Sequence, residues 1–193
     1  MTDDELSDRV LEPNEARLVK NCLPLLALIR QRNATFQRKR PASSSITEIV
    51  IHDTDSATTR YDDTVRYLAN PGDGRMVSIH YIIGRDPGQI LMMVPEDNVA
   101  NHATTHNDYS IGIELWRNEK QTGYTPWQYS ALGQLVYDIM RRRGIVRKKI
   151  IGHGFFDTTR HGEPKGFEWT MLDDELDRIN EKVKSYDRRL AAF

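Results

Sequence analysis

The stretch Thr47-Glu48-Ile49-Val50-Ile51-His52 marks the point where the chain begins to alternate between strand-like and helix-like patterns. Three consecutive apolar residues predict a buried strand, in which Val50 and His52 share one face while Ile49 and Ile51 share the other. A strand that ends at a histidine holds that side chain on a fixed backbone. The imidazole of His52 is therefore expected at a defined place, at the carboxyl end of the strand.

Three further strands follow along the chain. Residues 77–83 and 89–94 are predicted strands, and the turn signal Asp86-Pro87-Gly88 between them predicts a hairpin. Residues 110–115 form another alternating apolar pattern. Together with the strand at residues 47–52, they predict one sheet.

Helices are predicted between and after these strands. The first covers residues 61–69. A capping box between Thr125 and Gln128 starts the second helix, and Gly144 closes it. The last helix carries an apolar stripe of Leu172, Leu176, Ile179 and Val183. The fold class is therefore predicted to be α/β, with a mixed central β-sheet flanked by helices.

The chain has 193 residues, which is most simply one domain with an extension. Residues 1–45 are predicted to be an N-terminal helical extension and linker, and residues 46–193 the main domain. Pro24 predicts a kink or two short helices in the extension. The basic run Arg38-Lys39-Arg40 and the serines that follow it are interpreted as a solvated linker; contact with an anionic polymer is the alternative.

The charge is nearly balanced, with 27 basic and 28 acidic residues, which argues against a nucleic-acid or anionic-membrane binder. Cys22 is the one cysteine in the sequence, so no internal disulfide can form. The N-terminus has no apolar segment of a secretory signal, and the apolar run Leu23–Ile29 is too short to span a bilayer. We expect no membrane insertion and synthesis in the cytoplasm; the oligomeric state stays open.

Metal-ligating residue types are concentrated in the middle of the sequence. All six histidines fall between positions 52 and 161. The short apolar run at residues 150–151 leads to His153, and a loop of small and polar residues then brings His161 and Glu163. Two ligands from this strand end and its loop, together with His52, would make a three-ligand zinc site with one position open.

Glu114 is the candidate acid/base. Within Ser110–Leu115 it shares a strand face with Gly112, and a glycine on a strand indicates that something approaches closely there. The alternative is a solvent-facing glutamate on a half-buried strand. Because of the histidines, we interpret Glu114 as the residue that moves protons. The residues alone predict metal-assisted hydrolysis of an amide or ester.

Several blocks in this order resemble the zinc-dependent N-acetylmuramoyl-L-alanine amidases, a superfamily that includes phage lysozyme-type amidases, bacterial anhydro-muropeptide amidases and peptidoglycan recognition proteins. The resemblance covers roughly residues 46–172. The blocks are Ile49-Val50-Ile51-His52, Tyr67-Leu68-Ala69-Asn70-Pro71, Val77-Ser78-Ile79-His80-Tyr81-Ile82-Ile83, Arg85-Asp86, Val94-Pro95-Glu96-Asp97, Asn101-His102-Ala103, Asn107-Asp108-Tyr109-Ser110-Ile111-Gly112-Ile113-Glu114-Leu115 and Ile151-Gly152-His153.

The resemblance implies that His52 and His153 are ligands of Zn²⁺ and that Glu114 is the catalytic acid/base. In the bacterial and phage branches, the loop after the second histidine usually contains Arg-Lys-x-Asp-Pro, which here is Arg-His-Gly-Glu-Pro at residues 160–164. Glu163 thus stands where an aspartate ligand is expected. His161 stands where a lysine stabilises the transition state. Alternatively, His161 ligates zinc and Glu163 orients it.

The resemblance also implies the substrate, the amide bond between N-acetylmuramic acid and L-alanine in peptidoglycan or muropeptides. His102, Trp116 and Lys165 are predicted substrate-binding residues, with Lys165 a second candidate to stabilise the oxyanion and Trp116 equally suited to packing. A non-catalytic peptidoglycan-binding module is the alternative, because positions 161 and 163 depart from the pattern. An unrelated zinc hydrolase is a further alternative. A cytoplasmic recycling enzyme, a released endolysin and an exported effector at the cell wall all fit the predicted localisation.

Overall fold

The structure is a computed structural model that describes the backbone of residues 13–190 and the side chains of residues 16–189. Within that range the chain forms four α-helices, α1 (Pro13–Cys22), α2 (Tyr61–Ala69), α3 (Pro126–Arg143) and α4 (Trp169–Leu190). The strands of the same range are β1 (Arg30–Gln31), β2 (Gln37–Lys39), β3 (Glu48–Asp53), β4 (Tyr81–Ile83), β5 (Ile90–Met92), β6 (Asn98–Ala100), β7 (Ser110–Leu115) and β8 (Ile150–Gly152). None of the described helices has the length and apolar composition needed to cross a membrane.

Six strands form a mixed sheet in the order β1-β5-β4-β7-β3-β8. β3 pairs in parallel with both β7 and β8, and β7 pairs in parallel with β4. β4 and β5 form an antiparallel hairpin, as the turn signal predicted. β2 and β6 make a separate two-stranded antiparallel sheet. The α/β architecture with a mixed sheet flanked by helices confirms the predicted fold class.

The sheet is covered on both faces. On one face Ile49, Ile51 and Ile113 pack with residues of α1, α3 and α4. On the other, Ile82 packs with residues of α2 and with Trp116. Each fully buried side chain of this size stabilises the fold by about 1.5–3 kcal/mol relative to an exposed one. The long strands β3 and β7 are therefore held rigidly at the centre, which matters because both carry residues of the site.

The local signals at helix ends are confirmed. Thr125 Oγ1 accepts from the backbone N–H of Gln128, whose side chain in turn accepts from the N–H of Thr125. Gly144 closes α3 in the left-handed conformation at φ 67°. The predicted strand at residues 77–83 is wrong in its first half, since β4 begins at Tyr81.

The N-terminal extension is more closely integrated than predicted. Cys22 and Leu23 are buried in the main core, and the helix breaks before a 3-10 turn at Pro24–Leu28, as the proline predicted. β1 is the edge strand of the main sheet. Residues 37–39 form β2, which pairs with β6, where a linker was predicted, although Arg38 and Lys39 are solvent-exposed as expected. The prediction for residues 1–12 lies outside the described part of the chain.

Arg40, at the end of the basic run, is anchored to the domain, whereas Arg38 and Lys39 are exposed. Its guanidinium donates to the carbonyl oxygens of Asn98 at 2.9 Å, Asp108 at 2.5 Å and Ser110 at 3.2 Å. A planar group with five donors can satisfy several carbonyls at once. The run therefore ties residues 37–40 to the segment that leads into β7.

Candidate active site

Parallel pairing brings the predicted site residues to one edge of the sheet. His52 of β3 lies in register with Glu114 of β7. Ile51 lies in register with Gly152, the last residue of β8, so His153 follows directly beside the end of β3. The carboxyl ends of parallel strands are where α/β folds commonly place their sites. Register alone thus collects two imidazoles and a carboxyl group.

The two histidines and Glu163 form a compact cluster. Each offers one ligand-type atom, and these atoms all lie within 4.8 Å of one another. Glu163 Oε1 is 3.1 Å from Nδ1 of His52 and 3.2 Å from Nδ1 of His153. Among the described residues this is the one group of three such side chains that could hold a metal ion. His161 is not part of it.

A tight turn directs Glu163 inward. The N–H of Glu163 donates to the carbonyl of Arg160 at 2.9 Å. The central residues have φ −49° and ψ 125° at His161 and φ 77° at Gly162, which is the pattern of a type II turn with glycine at its second central position. Residues 160 and 163 therefore face the cluster, while His161 sits at the exposed tip.

Asp53 ties this loop to the strand that carries His52. Its Oδ2 accepts from the backbone N–H of Lys165 at 2.5 Å, from Arg117 at 3.1 Å and from the hydroxyl of Tyr124 at 3.2 Å. Asp53 and Arg117 are both buried. This clamp holds the backbone two residues after Glu163 to the end of β3. No motif in the sequence pointed to this arrangement, although an acidic residue directly follows His52.

The charges in the cluster suit a cation. Burial opposes ionisation of Glu163, but the short contacts of its carboxylate with the rings of His153 and His52 outweigh it and lower the pKa of Glu163 to about 2. Burial also lowers the pKa of His52, despite the neighbouring carboxylate. The site thus favours an ionised carboxylate beside a neutral imidazole, which are the protonation states that metal ligands need.

Glu114 is in a different environment from Glu163. Its Oε2 is shielded from solvent and has no hydrogen-bond partner among the described residues. Burial raises the pKa of Glu114 well above its ordinary value, and the nearby charges of Glu163 and Asp53 raise it further. Two carboxyl groups at one site with pKa values shifted in opposite directions are the pattern expected when one binds charge and the other exchanges protons.

These groups face a common cleft of about 480 Å³. It is lined by the three cluster residues and by Glu114, His102 and Arg160, with α2 and the segment after β3 forming the other wall. Arg160 is 63% exposed, and its Nη1 is 3.9 Å from Glu163 Oε2. The cleft therefore combines a candidate metal centre, a carboxyl group with an unpartnered oxygen and a permanent positive charge.

Three predicted residues lie outside this cleft. His161 is exposed at the tip of the turn, so its predicted catalytic role is not supported by its position. Trp116 is buried at 6% exposure and its indole N–H donates to Thr64 Oγ1 at 2.9 Å, which corrects the prediction of sugar stacking to a packing role. Lys165 pairs with Asp55 at 2.7 Å and reaches the rim of the cleft only through that partner.

His102 lines the cleft, but both of its ring nitrogens already face protein atoms. Nδ1 lies 2.9 Å from Nε2 of His52, and Nε2 lies 3.3 Å from Ser110 Oγ. Burial lowers the pKa of His102 well below its ordinary value, and the neighbouring His52 and His80 lower it further. The sequence predicted substrate contact at His102; the described contacts join it to a candidate metal ligand instead.

The chain is similar in sequence and fold to known amidases. N-acetylmuramoyl-L-alanine amidase A of Achromobacter lyticus is 32% identical over 105 residues, which are 54% of this chain and 56% of that protein. This chain thus aligns with little more than half the length of that curated relative. The E. coli amidase AmiD, solved in complex with the substrate anhydro-N-acetylmuramic acid-L-Ala-D-gamma-Glu-L-Lys, superposes with a TM-score of 0.57 at 28% identity, covering 72% of this chain and 61% of AmiD.

A crystal structure of a selenomethionine derivative of AmpD superposes with a TM-score of 0.66 and covers 78% of this chain and 95% of AmpD. At 24% identity, this likeness shows a shared fold. The family model described as N-acetylmuramoyl-L-alanine amidase matches residues 42–166, which is more than half of the chain. This protein therefore belongs to the N-acetylmuramoyl-L-alanine amidase family.

Proposed function

We propose that this protein is a zinc-dependent amidase that hydrolyses the amide bond between N-acetylmuramic acid and L-alanine in peptidoglycan or its soluble fragments. One observation carries the proposal. Two imidazoles and a carboxylate converge within 4.8 Å beside Glu114, whose buried Oε2 has no protein partner. A buried carboxyl oxygen without a partner is costly unless a ligand or solvent molecule uses it.

The donor set fits zinc. Nitrogen from histidine and oxygen from a carboxylate are common zinc ligands, and tetrahedral bonds of about 2.0–2.1 Å separate ligand atoms by about 3.3 Å. The observed separations of Glu163 Oε1 from the two Nδ1 atoms are 3.1 and 3.2 Å. His52, His153 and Glu163 would therefore hold the ion with little rearrangement. Three protein ligands are also the number found in catalytic zinc sites, which keep a fourth position open.

Glu114 performs the proton transfers in the proposed reaction. When bound, zinc supplies Lewis acidity, which polarises a carbonyl group and makes water more acidic. Oε2 of Glu114 accepts a proton from the water that attacks the lactyl carbonyl carbon. The raised pKa of Glu114 makes its carboxylate a stronger base toward that proton, because an acid/base group works best when its pKa approaches the operating pH.

The bond changes balance as a simple hydrolysis. Water oxygen forms a bond to the lactyl carbon, and the bond between that carbon and the alanine nitrogen breaks. Glu114 returns its proton to the departing nitrogen, so the products are a lactyl carboxylic acid and a peptide with a free L-alanine amine. Glu114 ends in the state in which it began. No further reactant is needed.

Arg160 is the group best placed to stabilise the negative charge that develops on the carbonyl oxygen. It lines the cleft, whereas His161 does not. Arginine side chains carry a permanent positive charge in proteins, and donors aimed at a developing oxyanion are among the largest contributions to catalysis. We therefore assign to Arg160 the role that the sequence analysis gave to His161.

The substrate class follows from the family and from the relatives. AmiD was solved with a substrate in which anhydro-N-acetylmuramic acid is joined to L-alanine. For this protein the same bond is proposed, because the family match over residues 42–166 includes all the site residues. A soluble anhydro-muropeptide is accordingly the first substrate to test, followed by intact sacculi.

The test measures metal and activity on one preparation. The protein is freed of metal with a chelator, reloaded with one equivalent of Zn²⁺ and incubated with anhydro-N-acetylmuramyl-tripeptide, and the free L-alanine amine is detected by mass spectrometry. We expect activity only after reloading. Glu114→Gln should retain the metal and lose activity by about 10²–10⁴-fold, whereas Glu163→Ala should lose both metal and activity.

Other outcomes would favour a binding module or contradict the proposal. A protein that binds muropeptide and zinc but releases no peptide would support the non-catalytic binding module considered from the sequence. A protein that takes up no zinc, or that cleaves simple esters and leaves muropeptides intact, would overturn the proposal.

A further inference from the structure

We propose that His102 is a positioning residue: it accepts a hydrogen bond from Nε2 of His52 and so fixes the tautomer that presents Nδ1 of His52 to the metal. The inference rests on the proposed zinc site. It assigns to His102 a role toward another side chain of the protein, in place of the substrate contact that the sequence suggested.

The backbone carbonyl of His106 can only accept a hydrogen bond, and this sets the direction of the bonds that follow. Ser110 Oγ donates its single proton to the backbone carbonyl of His106 at 2.6 Å. The hydroxyl oxygen can then only accept from Nε2 of His102, which lies 3.3 Å away. Nε2 of His102 must therefore carry the ring proton.

The position of the ring proton on His52 follows in the same way. A neutral imidazole has one N–H, so Nδ1 of His102 is unprotonated and acts as an acceptor. It lies 2.9 Å from Nε2 of His52, which must then be the donor. The lone pair on Nδ1 of His52 is left facing Glu163 Oε1 at 3.1 Å. A carbonyl of the main chain thus determines, through two side chains, which nitrogen is free for the ion.

The fold holds His102 in the position that this chain of bonds needs. The backbone N–H groups of His102 and Ala103 both donate to Asn107 Oδ1, at 2.9 and 2.6 Å. The ring stands edge-on to that of His52, with centroids 5.1 Å apart at 83°. Partners that orient a metal-bound histidine are known to alter metal affinity by about 10–100-fold.

Three substitutions at one position separate the roles of the two nitrogens. In His102→Asn the amide oxygen can occupy the place of Nδ1 and still accept from His52. In His102→Gln the amide lies nearer the place of Nε2, so the bond to Ser110 can form but the acceptor for His52 is lost. His102→Ala removes both. Circular dichroism and thermal unfolding identify any variant that fails to fold.

The primary readout is the dissociation constant for Zn²⁺, measured by competition with a chromophoric chelator at fixed pH. We expect about 10–100-fold weaker binding for His102→Gln and His102→Ala, and near-wild-type binding for His102→Asn. Ser110→Ala, which touches no metal ligand, should weaken binding by a smaller factor because it releases the tautomer of His102.

A second readout is the ring ¹⁵N spectrum of the zinc-loaded wild-type protein, in which both His52 and His102 should carry their proton on Nε2. Unchanged zinc affinity in His102→Ala with a raised KM and unchanged kcat would identify a substrate contact and overturn the inference. Opposite tautomers in a zinc-loaded, active protein would overturn it while leaving the proposed function intact. A wild-type protein that takes up no zinc would overturn both.

Discussion

Gly112 lies against the imidazole of His102, and a Cβ atom at position 112 would stand 2.5 Å from Nδ1 of that ring. The same atom would meet Ile79 Cδ1 at 2.6 Å. Both separations are well inside van der Waals contact, so any side chain at this position must displace its neighbours. Gly112 on β7 therefore leaves the space in which the ring of His102 lies within 2.9 Å of His52.

Gly112→Ala should consequently weaken zinc binding without touching a ligand. The added methyl group would push His102 away from His52, and overpacking of this kind lowers the free energy of unfolding by about 1–3 kcal/mol. Urea denaturation and chelator competition measure the two effects. Gly72→Ala is the matched control, because a Cβ there meets nothing within 4 Å. Wild-type zinc affinity in Gly112→Ala would contradict this prediction.

Glu114→Gln should stabilise the metal-free protein at neutral pH. The pKa of Glu114 is raised in the folded state by burial. Between the unfolded pKa of about 4.3 and the higher folded value, the unfolded chain binds fewer protons, so stability falls as pH rises through this window. Glutamine does not ionise and escapes the penalty, so Glu114 weakens the fold at neutral pH in exchange for its chemical role.

The measurement is the thermal midpoint of both metal-free proteins from pH 4 to pH 8. The advantage of Glu114→Gln should be near zero at the acid end and grow with pH. Glu119→Gln serves as the control, since Glu119 is exposed on the loop after β7. A constant difference across the range would show that the effect comes from packing rather than from ionisation.

The central strands and the candidate metal ligands were predictable because their signals are local. The strands before His52 and His153 are short runs of apolar residues that each end at a histidine, so the two imidazoles were expected to meet. β2 could not be predicted in the same way. It has three residues, mostly charged, and it pairs with a strand more than 50 positions later in the chain. Such pairing is a property of the folded chain.

The directions of the side chains in the loop at residues 160–164 could not be predicted from the sequence either. Whether residue 160 or 161 faces the cleft depends on the positive φ of Gly162, which the sequence permits but does not require. The burial of Trp116 depends on α2 packing across the sheet and offering Thr64 to the indole. Gly112 carried a correct signal of close approach, but the approaching group is His102 rather than a substrate.

Arg160→Ala and His161→Ala should have different effects, since only the first of these residues lines the cleft. Loss of one charge that stabilises the oxyanion should reduce kcat by about 10–100-fold, less than for a buried donor because Arg160 is largely exposed. His161→Ala should leave kcat within about twofold, as is usual for exposed positions.

Steady-state kinetics on a soluble muropeptide distinguishes the mechanisms. A lower kcat with little change in KM is expected for Arg160→Ala. A raised KM at constant kcat would mean that the guanidinium binds a carboxylate of the peptide, and a large loss in His161→Ala alone would restore the assignment made from the sequence. Zinc content is measured for both variants, because Arg160 is 3.9 Å from Glu163.

Asp53 should be essential to the loop that carries Glu163, although it is not one of the candidate metal ligands. Asp53→Ala removes the acceptor shared by Lys165 N–H and Arg117 and leaves the buried guanidinium with Asp55 as its remaining carboxylate partner, so the loss of unfolding free energy should stay below the ~3–5 kcal/mol of a fully unpaired buried charge. Asp53→Asn keeps an oxygen for Lys165 N–H and should recover most of the zinc affinity but only part of the stability. Urea denaturation with and without zinc, against the exposed Asp62→Ala, measures both quantities. Equal zinc affinity in Asp53→Ala and the wild type would show that the loop holds Glu163 in place without this clamp.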